Sequence, residues 1–536
     1  MIDVPVLIVG GGPVGLTASL YLSHFGIESL VVERHPGTAI LPKARALNAR
    51  TMEMYRQLGL EAAIRAVSMP ARFGGMILWA ESLAGREIKR LAPGRGSAGN
   101  LALSVAGNCG CAQDIFEPVL RERAEAAGPG RLSFGTTMTD LQIEEQGVHA
   151  TIRDASGTSE QVHARYVIAA DGAQSGIREQ LGITRQGERD VYDSINIHLR
   201  ADLTPWIADR PAGLYLIEQP DLRGTFLTIN GTDRWGFLVT SLSHYGYTPE
   251  QFNPAFCTEI VRRAVGSNDV QVEVLGVSAW SASAMVAQRY RSGPVFLAGD
   301  AAHEMPPTGG FGLNTGVQDA QNLAWKLAAV LRGEAGEALL DTYDPERRPV
   351  GEATTHSSLL NALSMGRTSR QTQAVLPRGE FLNEIGLIFG AHYQSAAVLP
   401  DGQPERSPED QVQQYVPSAA PGCRAPHVRL SRDGQSLSTI DLVGREFVLF
   451  TTPRGAAWAD AAARLSDPRI TSVVIGAEVQ NPDANWLDSY GIDDDGAVLV
   501  RPDAHVGWRS RSMAAQPAAT LAAALNAILC REDARP

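Results

Sequence analysis

Three glycines of the run Gly10-Gly11-Gly12-Pro13-Val14-Gly15 keep the spacing G-x-G-x-x-G, at positions 10, 12 and 15. Each such glycine has its own duty toward a dinucleotide: a tight turn, an open approach to the pyrophosphate, and close contact between helix and strand. Gly10, Gly12, Pro13 and Gly15 are therefore candidate phosphate-binding residues. Glu33 lies 18 residues beyond Gly15, near the distance expected of a carboxylate that accepts hydrogen bonds from a ribose hydroxyl pair, with Arg34 beside it. Two later acids, Asp171 in Ala170-Asp171-Gly172 and Asp300 in Ala298-Gly299-Asp300-Ala301-Ala302-His303, each close an apolar run. Ligands of open parallel sheets bind at that carboxyl edge, where Asp300 can accept from the hydroxyls of a polyol chain. The segment Pro306-Pro307-Thr308-Gly309-Gly310-Phe311-Gly312-Leu313-Asn314 leaves backbone N–H groups free at a helix N-terminus, a site that favours negative charge.

These residues need a scaffold, and the sequence supplies one. Val4 to Val9 reads as a strand buried on both faces, Leu16 to Phe25 as a helix ended by Gly26, and Ser29 to Glu33 as a second strand. Strand, glycine turn, helix, strand and terminal acid in one unit of about 30 residues make the fingerprint specific. Val317 to Leu327 reads as an amphipathic helix. Between 184 and 275 the pattern changes to alternation, as in Ser194-Ile195-Asn196-Ile197-His198-Leu199, which predicts a half-buried sheet forming the wall of a pocket. Residues 401–422, with four prolines, read as a linker, and 423–536 as a small α/β domain.

The chain has 536 residues, 44% of them hydrophobic, and 47 Lys and Arg against 59 Asp and Glu give a net charge of −12. That length and composition exclude disorder for most of the chain. The acidic balance argues against nucleic acid or an anionic membrane surface as a partner. Five cysteines, an odd number, predict reduced thiols and a cytoplasmic location. No secretory leader and no apolar run of about 18 residues is evident. Cys109-Gly110-Cys111 lacks the further ligands a zinc site needs, so no metal is expected.

The fingerprint with Glu33, the Asp171-Gly172 element, and Gly299-Asp300 followed by Pro306-Pro307-Thr308-Gly309-Gly310 together resemble the class A flavin monooxygenases, the p-hydroxybenzoate hydroxylase-like family. Pro42-Lys43-Ala44-Arg45 and Gln113 in Ala112-Gln113-Asp114 are typical of it too. The resemblance covers about residues 1 to 350. It implies an α/β fold: a discontinuous Rossmann-type FAD-binding domain (1–183 and 276–400), an inserted mixed β-sheet substrate domain (184–275), and a thioredoxin-like C-terminal domain (423–536). It implies FAD held by Gly12, Glu33, Gln113 and Asp300, with Arg45 near the cofactor and Pro307, Gly310, Gly312, Leu313 and Asn314 against its ring system. The resemblance also implies that Asp171-Gly172 helps bind both FAD and NAD(P)H and that no separate nicotinamide domain exists, which accounts for the lack of a second fingerprint.

The C-terminal order resembles the tail of phenol hydroxylases and aromatic polyketide hydroxylases, and Pro421-Gly422-Cys423-Arg424-Ala425-Pro426-His427 is similar to the latter subgroup, that of aklavinone and tetracenomycin hydroxylases. With Thr452-Pro453-Arg454-Gly455-Ala456 where a C-x-x-C would stand, the tail has no paired thiol and is expected to be structural. The implied activity is hydroxylation of a phenolic, polycyclic aromatic substrate with NADPH or NADH and O2, through a flavin C4a-hydroperoxide, by a monomer or homodimer. A simpler phenol hydroxylation, a Baeyer–Villiger or epoxidising reaction, and an idle FAD-binding assembly protein are the alternatives. Two residues are candidates for handling the substrate proton: Tyr215, which could orient a hydroxyl or be a core tyrosine, and His392, which could act on the substrate or be a plain wall residue.

Overall fold

The computed structural model describes residues 1–91, 100–365, 384–402, 415–465 and 469–531. Most of the predicted linker, 403–414, lies outside the described residues. The strand Ile2–Val9 sits inside a sheet, parallel to Ser29–Glu33 on one side and to Ser159–Ala169 on the other. Ser159–Ala169 pairs in turn with Val295–Leu297, also parallel, with Val9 opposite Ala169 and Ala169 opposite Leu297. Three carboxyl ends therefore meet at one edge, and they lead into Gly10, Ala170 and Ala298. The apolar runs forecast these strands because each is covered on both faces; Val6, Leu7, Ile8, Val167, Ile168, Phe296 and Leu297 are fully buried.

A second sheet of eight strands runs in the order His303–Glu304, Glu273–Ala287, Arg185–Arg200, Arg234–Thr240, Leu222–Thr228, Leu214–Gln219, Ile77–Ala80, Glu87–Leu91. The sheet expected over 184–275 thus takes its last two strands on one side from before residue 100, extends through Ala287, and ends on the other side with His303–Glu304. The amphipathic reading of 317–327 is corrected: the helix Gly312–Leu331 is buried on every side from Asn314 to Val330. Its polar residues face partners rather than water, because it lies between the helix Pro13–His24, the helix Tyr343–Ser364 and the C-terminal domain.

In the C-terminal domain Phe447–Thr451 pairs parallel with Ile470–Val474 and antiparallel with Ala497–Val500, which pairs antiparallel with Val506–Ser510. With the helices Ala456–Ala463 and Pro517–Ile528, this is the thioredoxin-like arrangement, and Thr452 to Ala456 occupies the turn where a dithiol would stand. Phe447, Leu449, Trp508 and Leu525 belong to the same apolar core as the first sheet, and Phe447 meets Trp325 edge-on at 5.9 Å.

Buried charge crosses this junction. Glu346 accepts from both Nη atoms of Arg501 (2.7 and 2.8 Å), from Lys326 (2.7 Å), from Asn322 (2.7 Å) and from Ser395 (2.6 Å). His505 stacks on Tyr393 at 4.0 Å and donates from Nδ1 to the Asp503 carbonyl at 3.1 Å. Burial, only partly opposed by Asp503, lowers its pKa to about 4. Histidine in an unfolded chain titrates near 6.5, so between about pH 6.5 and 4 the unfolded state binds the extra proton. The stability His505 contributes is present above that window and lost as pH falls through it, about 3 kcal/mol in all. His505→Phe, which keeps a ring against Tyr393, should flatten this limb of the unfolding temperature against pH; a curve parallel to wild type would refute the assignment.

Candidate active site

The turn after Ile2–Val9 uses its glycines for different ends. Gly10 has φ +110°, and a Cβ there would lie 2.2 Å from the Ala170 carbonyl oxygen. A Cβ on Gly15 would lie 1.9 Å from the Gly10 carbonyl oxygen, so helix and strand touch. At Gly12 a Cβ would meet nothing within 4 Å, and Gly12 and Pro13 line the main cavity. The space at Gly12 is kept open for something that is not part of the chain.

That cavity measures about 1890 Å³ and runs from the glycine turn past Asp300 to the second sheet. Asp300 faces into it, and its carboxylate makes no hydrogen bond among the described residues. Burial raises the Asp300 pKa, with His303 and Lys43 opposing and Glu304 adding to the rise. The turn that carries Asp300 is held from behind. Asp319 Oδ2 accepts from Gly299 N–H at 3.1 Å and lies 2.7 Å from His303 Nε2, while Oδ1 accepts from Arg347 Nε at 2.8 Å. Burial pushes the Asp319 carboxyl up, but His303 and Arg347 outweigh it and hold its pKa below the usual range.

Pro307, Gly310, Gly312, Leu313 and Asn314 line the cavity together with Arg45 and Gln113. Asn314 joins the two loops: Nδ2 donates to Gly310 O (2.7 Å) and Ala46 O (3.0 Å), and Oδ1 accepts from Asn48 N–H (2.9 Å). Arg45 donates to Thr228 O at 3.2 Å and forms no ion pair among the described residues. Burial lowers its pKa to about 10, which leaves it a cation at neutral pH. Gln113 accepts from Ala44 N–H at 3.4 Å and donates to Glu117 at 2.8 Å.

Gly10 and Gly15, which shape the turn from behind, lie off the cavity wall, and so do three side chains of the cofactor set. Glu33 accepts from Gly11 N–H (2.7 Å) and His35 N–H (2.8 Å), so a ribose would share a carboxylate that already serves the turn. Arg34 is exposed. Asp171 turns toward the helix Gly176–Gln180, where Oδ2 accepts from Ile177 N–H at 3.3 Å, while its neighbours Ala170 and Gly172 line the cavity. Burial raises the Asp171 pKa, and its Oδ1 is buried without a partner.

Both proton-handling candidates are corrected by their surroundings. Tyr215 is fully buried, accepts from Ala212 N–H at 2.8 Å and donates to Arg210 O at 3.1 Å. It stands in register with Leu78, Phe226, Phe237 and Ile197, the core face of the sheet. The next row over, Thr225, Leu238, Asn196 and Ser278, faces the cavity. Successive side chains of a strand alternate in face, so one step in register separates core from pocket. His392 lies outside the cavity wall, with Nε2 2.9 Å from Pro421 O, and pairs with Cys423 at the entry to the C-terminal domain. Asn196, whose Oδ1 has no hydrogen-bond partner, is the cavity-facing polar residue that the alternating segment contained but did not single out.

The open Gly12 cradle, the unpartnered Asp300 carboxylate and the unpaired Arg45 cation fit a long dianionic dinucleotide with a polyol chain, and FAD has that chemistry. Bound FAD would supply acceptance of hydride from NAD(P)H and activation of O2. Comparison with known proteins agrees. Residues 3–358 match the FAD binding domain model, and residues 418–531 match the model for the aromatic-ring hydroxylase C-terminal domain. The 4-methyl-5-nitrocatechol 5-monooxygenase of a Burkholderia species is 40% identical over 99% of this chain and 98% of that protein. The tetracenomycin A2 monooxygenase-dioxygenase of Streptomyces glaucescens is 37% identical over 100% of this chain and 98% of its own. A ternary complex of aklavinone-11 hydroxylase with FAD and aklavinone superposes with a TM-score of 0.91 at 35% identity, over 99% of this chain and 100% of that one. Among the described residues no helix is long and apolar enough to cross a membrane. Similarity of this grade along the whole chain, on a cavity that fits the cofactor, establishes that the chain belongs to the FAD-dependent aromatic-ring monooxygenases.

Proposed function

We propose that the chain transfers one oxygen atom of O2 to an electron-rich ring carbon of a phenolic, polycyclic aromatic molecule of the polyketide type, with NADPH rather than NADH as reductant, as a monomer or homodimer in the cytoplasm. Gly12, Gln113, Asp300 and the loop from Pro307 to Asn314 hold FAD, and Glu33 shares its carboxylate with the ribose. The observation that carries the substrate class is the single continuous cavity of about 1890 Å³. A pocket for one drug-sized ligand occupies about 300–1,000 Å³, so this one accommodates the cofactor and a large second molecule side by side.

The chain's own residues have three tasks toward that molecule. Leu214, Leu227 and Leu238 give an apolar wall that excludes water from the reacting atoms. The Arg45 cation, in surroundings of low polarity, favours the phenolate over the phenol; a phenolate pushes electron density onto the ring carbon to be attacked. Asn196 and Ser278, on neighbouring strands, offer hydrogen bonds that fix which carbon faces the flavin. A single-ring catechol is the second reading, favoured by the 40% identity to an enzyme named for 4-methyl-5-nitrocatechol.

Purified protein should be yellow. A panel of hydroxyanthraquinones, hydroxylated angucyclines, 4-methyl-5-nitrocatechol and phenol should separate the readings. The polycyclic compounds are expected to accelerate NADPH oxidation at least tenfold and to gain one oxygen by mass. Acceleration by the catechol alone would transfer the assignment to single-ring substrates, and yellow protein indifferent to every member would favour an idle assembly protein.

A further inference from the structure

Part of the cavity wall comes from residues just before the C-terminal domain rather than from the sheet. Tyr415 lines it there beside Leu103, Ile385 and Ile388, and its ring packs on Phe389 at 5.8 Å between centroids. Behind Tyr415 stands Arg424, only 2% exposed. Its Nε donates to Glu53 Oε2 at 3.0 Å, and Nη2 donates to Glu53 Oε1 and to Leu103 O, the latter at 3.2 Å. Glu53 also accepts from Arg50 at 3.0 Å and from Ser104 at 2.6 Å, so the guanidinium is fixed in one orientation.

Its third nitrogen has no such partner. Arg424 Nη1 is buried and makes no well-aligned hydrogen bond among the described residues. A donor on a buried cation without a well-aligned partner is costly, so a small shift that aligns one is favoured. The neighbouring polar group is the Tyr415 hydroxyl, which pairs with the Arg424 side chain and feels its charge. Burial raises the pKa of that hydroxyl against the pull of Arg424, so it keeps its proton at neutral pH and remains a donor. The apolar neighbours of Tyr415 suit an aromatic ring and offer nothing to a phosphate or a polyol, which have their own site at Gly12 and Asp300.

We propose that Tyr415 is a specificity-determining residue: its hydroxyl donates to a ring-borne oxygen of the substrate, while its own oxygen accepts from Arg424 Nη1, in a chain Glu53, Arg424, Tyr415, substrate. Arg424 is then a positioning residue, and the C-terminal region, which carries no paired dithiol, has a task at the active site. Hydrogen bonds in such a chain polarise one another. The inference rests on the aromatic substrate proposed above.

The test uses the FAD-loaded protein and reads ligand binding by the perturbation of flavin absorbance. 1,8-Dihydroxyanthraquinone is one probe, and 1-naphthol against naphthalene is a pair that differs only in the oxygen. Wild type should prefer 1-naphthol over naphthalene about tenfold, the size of one buried hydrogen bond. Tyr415→Phe should retain FAD and its unfolding temperature, lose that preference, and bind the anthraquinone about tenfold more weakly. Arg424→Lys should lose part of the preference while leaving affinity for naphthalene unchanged. Equal preference in wild type and Tyr415→Phe, or loss of FAD by Tyr415→Phe, would overturn the inference and leave the substrate class standing. Wild type that responds to none of the aromatic probes would overturn both.

Discussion

Alanine in place of Glu346 is expected to destabilise the protein by about 3–5 kcal/mol, the range for removing one partner of a buried ion pair. The carboxylate is 1% exposed and receives Arg501, Lys326, Asn322 and Ser395. Without it, Lys326 loses the carboxylate 2.7 Å from its Nζ, and Arg501 keeps Asp503 at 2.5 Å but loses two strong hydrogen bonds. Both cations are fully buried, so water cannot take over. Glu346→Gln, which keeps acceptor and donor atoms but not the charge, should fall between alanine and wild type. Denaturant unfolding followed by tryptophan fluorescence measures the loss, and a Glu346→Ala midpoint indistinguishable from wild type would refute the account of this junction.

Valine at Gly12 is expected to do the opposite: leave the fold and abolish the cofactor. Gly12 has φ −76° and ψ −175°, a conformation any residue adopts, and nothing lies within 4 Å of where its Cβ would be. The branched side chain would instead fill the space kept for a pyrophosphate. Gly12→Val should purify colourless, with FAD affinity reduced more than 100-fold (about 2.7 kcal/mol or more). The unfolding temperature without added FAD should match that of wild-type apoprotein, and added FAD should raise only the wild-type value. The neighbouring control is Gly10→Ala, where φ +110° and the Ala170 carbonyl at 2.2 Å forbid a side chain. That variant should fail to fold. A yellow Gly12→Val protein would refute the role given to the open cradle.

The glycine turn was legible because its information is local. Spacing, the apolar strand before it and Glu33 after it lie within one short stretch, and the chemistry of a tight turn admits few alternatives. The helix Gly312–Leu331 shows where local reading ends. Its Asp319, Gln321, Asn322 and Lys326 have the spacing of a solvated stripe, yet each is buried and bound by a residue far along the chain: Arg347, Tyr21, Asp503 and Glu346. Periodicity reports polarity, and it cannot distinguish water from a buried partner. Tyr215 and Asn196 show a second limit. Both lie on the pocket sheet, and which of them faces the cavity depends on the pairing register across four strands. Tyr415 stands between a stretch without repeat or motif and a domain whose missing dithiol suggested no part in catalysis.

The shared core of the C-terminal domain and the first sheet bears on how the protein is made. One side of the helix Gly312–Leu331 is completed by the C-terminal domain, whose Phe447 packs on Trp325 and whose Trp508 and Leu525 belong to the same core. Those residues leave the ribosome up to about 200 positions later, which at bacterial synthesis speeds is roughly 10–40 s. During that interval the nascent FAD-binding half carries an unsealed apolar helix and buried-to-be charges in contact with solvent. A host short of chaperone capacity should therefore accumulate the protein as aggregate before it accumulates it as colourless apoenzyme.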